Sequence, residues 1–413
     1  MKKKLLVLPK FFFPDSGASC LLYTELCEDL VPYFDITVIC TVPSYAGPIA
    51  ENYKKNRYYY EDYKGIHIMR VRVGDVNKTS KFSRITGILR YYIDFKKAIK
   101  KAKKQDVILA GSQPPILGGR LGVYAKKRLG GKLVYYVHDF NPEQAEFTGY
   151  VHNRLLLHLV RWIDNCSCKK SDLVIISSPD MQKNLVNRFK EGKVPNNLVI
   201  ENWVDVRKVQ PVPREENPEF DRLNLPRNGF YISYAGNLGI MQNFPTVLEA
   251  AAILQKTCPD IQIVLIGDGA LKPDLEETIR KKKLTNVFLF PMQPAGQESF
   301  LYSLGDVELI SIGLNVTKCS IPSKTCKICA AGRPILCQAD VESDLAGRIR
   351  SHRMGVVVPP KDAAAFAAAA EELYEDRANL PQMGINSRAF AENHLTRKVA
   401  VEKFKRALTE SFF

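Results

Sequence analysis

Residues 230–257 read FYISYAGNLGIMQNFPTVLEAAAILQKT. The opening FYISYAG (230–236) is a short apolar run closed by glycine, the pattern of a buried strand. FPTVLEAAAILQKT (244–257) carries apolar residues at helical spacing, with proline in its first turn, and reads as a helix. Gly236-Asn237-Leu238-Gly239 joins the two. A strand that passes through a glycine turn into a helix is half of a βαβ unit, and such units build a parallel sheet covered on both faces.

The alternation continues outward in both directions. Downstream, IQIVLIGDG (261–269), NVFLFPM (286–292), VELISIG (307–313), RPILCQ (333–338) and GVVVPP (355–360) read as strands, with ESFLYSLGD (298–306) and DAAAFAAAAEELYED (362–376) among the helices. Upstream, KKLLVLP (3–9), DITVIC (35–40), IHIMRVRV (66–73), DVILA (106–110), KLVYYV (132–137), DLVIIS (172–177) and NLVIEN (197–202) read as strands between helical segments. Residues 205–228 hold four prolines and many charges and read as an interdomain linker. No tandem repeat is present. The expected fold is α/β, with two Rossmann-like doubly wound domains, 1–204 and 229–385, facing a central cleft at the C-terminal ends of their strands, where ligands of such sheets bind. An amphipathic helix over 386–413 is expected to close the chain.

The bulk composition agrees. The chain has 413 residues, 46% hydrophobic and 25% charged, ordinary for a globular protein. No apolar run approaches the roughly 18–20 residues of a membrane-spanning helix. MKKKLLVLPKFFFPDSG imitates a signal peptide, but Lys10 interrupts the apolar part and no small-residue cleavage site follows, so a buried first strand is expected. Cys166 and Cys168 are one residue apart, and Cys326 and Cys329 lack a second pair; reduced thiols in a cytosol are expected. Residues 1–200 hold 33 Lys and Arg against 18 Asp and Glu, so the whole +15 net charge lies in the first half. That asymmetry points to a polyanionic partner of this half: nucleic acid, an anionic membrane surface or a phosphorylated substrate.

The strand-to-helix loops carry the candidate chemistry. Gly236, Asn237 and Gly239, with Gln242 close behind, form the first; Gly267-Asp268-Gly269 forms the second. Glycine lets a ligand approach the backbone, although tight turns use it anyway. The third is SIPSKTCKICAAGRPIL (320–336), where Ser323, Lys324 and Thr325 open a helix. Free N–H groups and partial positive charge at a helix start hold anions, and Lys324 adds a mobile charge; Ser320 or Ser323 could cap this helix, with Pro322 in its first turn. In the first domain, Phe13-Pro14-Asp15-Ser16-Gly17 follows the first strand, and His138-Asp139 ends KLVYYV. A histidine there can orient a sugar, donate to a phosphate or move protons. His67, His152, His158, His352 and His394 have no such placement. There is no G-x-x-x-x-G-K-[ST], G-x-S-x-G, D-x-D, H-E-x-x-H or spaced Cys/His quartet, so no metal is expected, and a diphosphate would be neutralised by helix ends and Lys or Arg.

Taken in order and spacing, FFFPDSGAS, VHDFNPE (137–143), IENWVD (200–205), YAGNLG (234–239), IGDG (266–269) and IPSK…AAGRPIL (321–336) resemble the retaining nucleotide-sugar glycosyltransferases of family 4, with the GT-B fold. The bacterial enzymes of O-antigen, capsule and exopolysaccharide synthesis are the subgroup most resembled. The resemblance implies an acceptor-binding first domain, a nucleotide-sugar-binding second domain, and a last helix that crosses back to the first. Ser323, Lys324 and Thr325 would receive the donor diphosphate, flanked by Gly236, Asn237 and Gly239. The loop near Gln293 would meet the base, and Gly17 and His138 the transferred sugar. It further implies a UDP-linked sugar, an N-acetylhexosamine by the subgroup's habit, no metal, and same-face transfer in which the β-phosphate helps deprotonate the acceptor. Two departures stand out. The positions of the family's glutamate pair correspond to Cys319 and Lys327, and the usual Arg and Lys of the first donor loop to Asn237 and Gln242, leaving Lys324 or Arg333 to meet the phosphate charge.

TSKFSRITGILRYY and YYIDFKKAIKKAKK (91–104) mix apolar residues with lysines, and Lys96, Lys97, Lys100, Lys101, Lys103 and Lys104 are the expected contacts to an anionic inner membrane surface. A polyprenyl-diphosphate-linked saccharide is the expected acceptor. Two nucleotide-type domains argue against nucleic acid as the partner. Rival readings are a GT-B-fold nucleotide-sugar epimerase and a non-catalytic sugar-nucleotide-binding relative.

Overall fold

A computed structural model describes residues 2–15, 17–44, 47–73, 81–149, 151–294 and 296–410; Ser16 and the start of TSKFSRITGILRYY lie outside them. The chain divides into two compact units: Met1–Glu146, Val151–Glu201 and Ala400–Phe413 form the first, Phe147–Tyr150 and Asn202–Val399 the second.

The first unit holds an eight-stranded sheet of β1 (Lys3–Leu8), β2 (Phe34–Thr41), β3 (Tyr58–Tyr63), β4 (Ile66–Val71), β5 (Val107–Gly111), β6 (Lys132–Val137), β7 (Leu173–Ile176) and β8 (Asn197–Val199). Their order is β3-β4-β2-β1-β5-β6-β7-β8. Leu5, Leu6, Val7, Ile36 and Val38 are fully buried, as strands covered on both faces require. On one face Leu6, Ile39, Ile108 and Ala110 meet Tyr91, Phe95, Leu121 and Ala125 of two covering helices. Seven strands run as expected. β3 is the addition: it pairs antiparallel with β4 through a two-residue turn, Lys64-Gly65, whose φ values of 50° and 82° are those of a primed hairpin turn. YYYEDY is only half-buried and carries two acids, so its composition does not single it out as a strand.

The second unit holds six parallel strands, β9 (Phe230–Ala235), β10 (Ile261–Ile266), β11 (Val287–Phe290), β12 (Val307–Ser311), β13 (Ile335–Gln338) and β14 (Gly355–Val358). The order β11-β10-β9-β12-β13-β14 reverses between β9 and β12, and ligands of doubly wound sheets bind at such a switch point, off the carboxyl ends of the strands. Phe244, Val247, Leu248 and Ala251 of one helix and Phe366 and Ala370 of another cover Ile232, Ile263 and Leu309.

Two segments behave differently from their sequence reading. Residues 205–228 pack onto the second unit: Asn217, Glu219 and Phe220 are buried, Asn217 Nδ2 donates to Phe300 O (2.8 Å), and the Val212 amide donates to Ser303 Oγ (3.1 Å). Prolines interrupt regular structure there without preventing burial. In place of one helix over 386–413, the chain holds two helices, Leu380–His394 and Arg397–Thr409. Arg388 ties the first to Val206 O, Val209 O and Ala330 O of the second unit. The chain from Ala400 onward belongs to the first unit, where buried Phe404 lies 5.1 Å from the Tyr136 ring.

Candidate functional site

In the second unit, the ends of β9 and β10 interlock. The Gly236 amide donates to Ile266 O (2.9 Å), Leu238 N to Asp268 O (2.8 Å), and Leu271 N to Leu238 O (2.9 Å). Gly236 has φ 146°, which L side chains rarely adopt. A Cβ at Gly267 would stand 1.9 Å from Gly236 O, so both glycines are required by the close approach of two backbones. The Asn237 carbonyl accepts from Tyr234 OH (2.6 Å), and Gln242 Oε1 accepts from the Gly239 amide (3.1 Å). Gln242 therefore holds the loop's shape.

Lys324 rises beside this loop. Its Nζ lies 3.0 Å from the centroid of the Tyr234 ring, and a Cβ on Gly236 would be 3.0 Å from it. The ammonium nitrogen is buried and has no hydrogen-bond partner among the described residues. Burial holds its pKa well below the usual lysine range, with Glu308 pulling the other way. Glu308, on β12, is fully buried. Burial pushes its carboxyl up to about 8, against the hydrogen bond from Ser233 and the pull of Arg333 and Lys324. Arg333 donates through Nη2 to Val212 O (2.7 Å), while its Nε, Glu308 Oε2 and Thr325 Oγ1 are buried without partners among the described residues. The switch point thus gathers a lysine amine, a guanidinium, an acid and a hydroxyl with unused bonding capacity, and a bound anion would engage the donors among them.

The helix that Lys324 opens, Lys324–Ala330, starts differently from expectation. Ser323 is its N-cap residue in αR conformation, and no side chain caps the helix. Pro322 precedes the cap, its carbonyl accepting from the Thr325 amide (3.1 Å). Gln293 lies on the loop after β11, its amide donating to Pro291 O (2.9 Å). Cys319 is buried, and Lys327 is paired with Glu298 (3.4 Å). Neither supplies a carboxylate.

In the first unit, Gly17 (φ 111°) precedes helix Ala18–Leu30. His138 follows β6, and its amide donates to Ser112 Oγ (3.2 Å), which the Asp139 amide also reaches (3.5 Å). The His138 ring lies 3.9 Å from that of Tyr136 and 5.3 Å from that of Tyr23. A small cavity beside it is lined by Lys10, Phe11, Ser19, Tyr23 and Gln113. Burial pushes the imidazole down to about 4, and Nε2 has no partner among the described residues, so a neutral ring with an unused nitrogen faces the end of β6. The following loop is pinned by buried Arg188, which bridges Glu143 and Asp164 (2.7 Å) and stacks 3.9 Å from the Phe140 ring.

The lysine cluster stands elsewhere. Lys96 lies over the Tyr92 and Tyr124 rings (5.4 and 4.7 Å) and Lys101 over Tyr58 (5.1 Å). Lys97, Lys100, Lys103 and Lys104 are exposed where the chain enters β5, at the amino ends of the strands, whereas His138 follows the carboxyl end of β6. Glu308, Tyr234 and Tyr23 were not singled out from sequence; the one available signal was an acid inside the apolar strand VELISIG. Among the described residues, no three His, Cys, Asp or Glu side chains gather as a metal site, and no helix is long and apolar enough to cross a membrane.

Two family descriptions match the chain: Glycosyltransferase Family 4 over residues 23–208 and Glycosyl transferases group 1 over residues 215–390. WbjE of Pseudomonas aeruginosa, assigned as a glycosyltransferase, is 26% identical over 335 residues, 79% of this chain and 80% of its own. WcaI of Escherichia coli K12, assigned as a glycosyl transferase of colanic acid biosynthesis, is 25% identical over 228 residues, 54% of each chain. Among solved structures, Anabaena HepE in complex with UDP and glucose matches with a TM-score of 0.70 at 15% identity, over 99% of this chain and 100% of that one, a likeness of fold.

Proposed function

Since this chain belongs to the family 4 glycosyltransferases of GT-B fold, we propose that it transfers a sugar from a nucleotide-diphosphate donor, with retention, in the synthesis of a bacterial surface polysaccharide. WcaI is assigned to such a pathway, and HepE was solved with UDP and glucose, which supports UDP as the nucleotide. The observation that carries the reading is the Lys324 ammonium, buried and without a hydrogen-bond partner among the described residues, beside Gly236 at the switch point of the second sheet. A donor diphosphate seated there meets that charge, Thr325 Oγ1 and the uncapped start of the helix. No metal is invoked for this neutralisation, and Arg333, whose charge acts on Glu308 of the same site, adds to it.

The acceptor is a polyprenyl-diphosphate-linked saccharide at an anionic membrane surface, a reading supported by the +15 confined to residues 1–200. His138, neutral near pH 7, holds a sugar hydroxyl through its unused nitrogen, and the departing β-phosphate takes the acceptor proton on the same face. An N-acetylhexosamine is the proposed sugar. Cys319 and Lys327 leave its hydroxyls and the ribose to other groups.

A thermal-shift series with UDP-, GDP-, ADP- and dTDP-sugars tests the donor site. UDP-sugars should raise the melting temperature of the native protein and leave Lys324→Met almost unmoved. Equal shifts in both proteins, or none with any nucleotide sugar, would reject the site.

A further inference from the structure

The first sheet has a switch point of its own. Its strands run from β1 through β2 and β4 to β3 on one side, and from β5 through β6 and β7 to β8 on the other, so the order reverses between β1 and β5. Doubly wound sheets bind ligands at such a point, off the carboxyl ends of the strands. The cavity beside His138 lies there. Lys10 and Phe11 line it from the end of β1, Gly111 from the end of β5, His138 from the end of β6, and Ser19 and Tyr23 from helix Ala18–Leu30. Its volume is about 10 Å³, room for one water molecule or one hydroxyl group.

Two polar atoms at this cavity lack partners. Tyr23 is 3% exposed, and its hydroxyl is buried with no hydrogen-bond partner among the described residues. His138 Nε2 is in the same state. The two rings meet edge to face, their centroids 5.3 Å apart and their planes at 76°. The phenol reaches over the end of β5, where a Cβ on Gly111 would stand 2.4 Å from its oxygen. Glycine at that position is what admits the hydroxyl. A phenylalanine ring would pack equally well against Tyr136 and His138, so packing does not account for the oxygen.

The chemistry of the pair selects what it receives. Burial pushes the phenol well above its usual pKa and the imidazole down to about 4, so both are uncharged near pH 7. A phenol donates one hydrogen bond, and a neutral imidazole protonated on Nδ1 accepts at Nε2. An alcohol satisfies both at once, its oxygen accepting from Tyr23 and its hydrogen going to Nε2. A phosphate or carboxylate would bury charge beside two neutral groups, and an acetamido group exceeds the volume.

We propose that Tyr23 is a specificity-determining residue of the transfer, its hydroxyl and His138 Nε2 together holding one hydroxyl group of the substrate sugar at the switch point of the first sheet. The inference rests on the reading above, in which His138 meets a sugar hydroxyl, and adds the second contact and the size of the group received.

Tyr23→Phe removes one oxygen and keeps the ring. Titration calorimetry of the full-length protein with UDP, UDP-glucose and UDP-N-acetylglucosamine tests it. UDP should bind the variant with native affinity. Whichever UDP-sugar the native protein binds should bind the variant at least about fivefold more weakly, because a sugar hydroxyl is left short of a buried donor. Combining Tyr23→Phe with His138→Asn should cost less than the product of the two single losses, since both act on one hydroxyl. Without ligand, the melting temperature should fall by no more than about one degree. UDP and UDP-sugar weakened equally, UDP-sugar affinity unchanged, or losses that multiply would overturn the pair and leave the donor reading standing. A melting temperature lowered by several degrees with UDP-sugar affinity intact would assign the cavity to a structural water and sink the proposal. No binding of UDP or either UDP-sugar by the native protein would overturn both readings.

Discussion

Replacing Lys324 with methionine removes the ammonium and keeps most of the side-chain volume. In the free protein, Nζ sits 3.0 Å from the centroid of the Tyr234 ring with no hydrogen-bond partner among the described residues, and burial holds its pKa well below the usual value. A diphosphate beside it favours the charged form. The bound state then carries more protons than the free state between the two lysine pKa values, so donor affinity falls as pH rises through that interval. A charge-assisted contact of this kind contributes about 1.5–3 kcal/mol. Lys324→Met should therefore weaken the dissociation constant for UDP roughly 10- to 150-fold. Titration calorimetry over a series of pH values, in two buffers of different ionisation enthalpy, reads both quantities. The native protein should show a binding enthalpy that depends on the buffer, and the variant should lose that dependence. Without ligand, the variant should melt no lower than the native protein, because a buried amine without a hydrogen-bond partner among the described residues has been replaced by an apolar side chain. Affinity within twofold of native, or native enthalpies that agree between buffers at every pH of the series, would refute the reasoning.

Two further outcomes follow from the same geometry. Gly236→Ala places a side chain at φ 146°, 3.0 Å from Lys324 Nζ; it should cost about 1–3 kcal/mol of stability in denaturant unfolding and weaken UDP binding as well. His138→Asn should lower turnover in a sugar-transfer assay while leaving UDP affinity within a few-fold. The same substitution tests burial of the imidazole, whose pKa lies near 4 in the folded chain against about 6.5 when exposed. Between these values the unfolded chain binds the proton that the folded chain refuses. Stability is therefore lost as pH falls from about 6.5 toward 4, by up to something on the order of 3 kcal/mol, and the asparagine variant should show a correspondingly flatter stability profile over that range.

Most of the fold was legible in the amino-acid order because a parallel strand buried on both faces must be a short continuous apolar run, and KLVYYV or IQIVLIGDG can be little else. The exceptions share a cause. YYYEDY forms a half-exposed edge strand whose pairing depends on the Lys64-Gly65 turn, and residues 205–228 are rich in proline yet gain burial from partners such as Phe300 and Ser303, far along the chain. The site was legible in part for the same reason. Glycines at strand ends and a lysine at a helix start announce themselves locally, so Gly236, Gly267 and Lys324 are legible in the sequence.

What the chain order determined by itself was the pair of doubly wound sheets, the loops that end their strands, and the confinement of the net positive charge to the first 200 residues, since each is read from the sequence alone. What only tertiary structure decided was the state of the polar groups: Lys324 buried against Tyr234 near an acid 16 positions earlier, Lys327 taken by Glu298, and Gln242 spent on its own loop. Desolvation and pairing are set by what packs around a group from distant parts of the chain, and no local pattern encodes them.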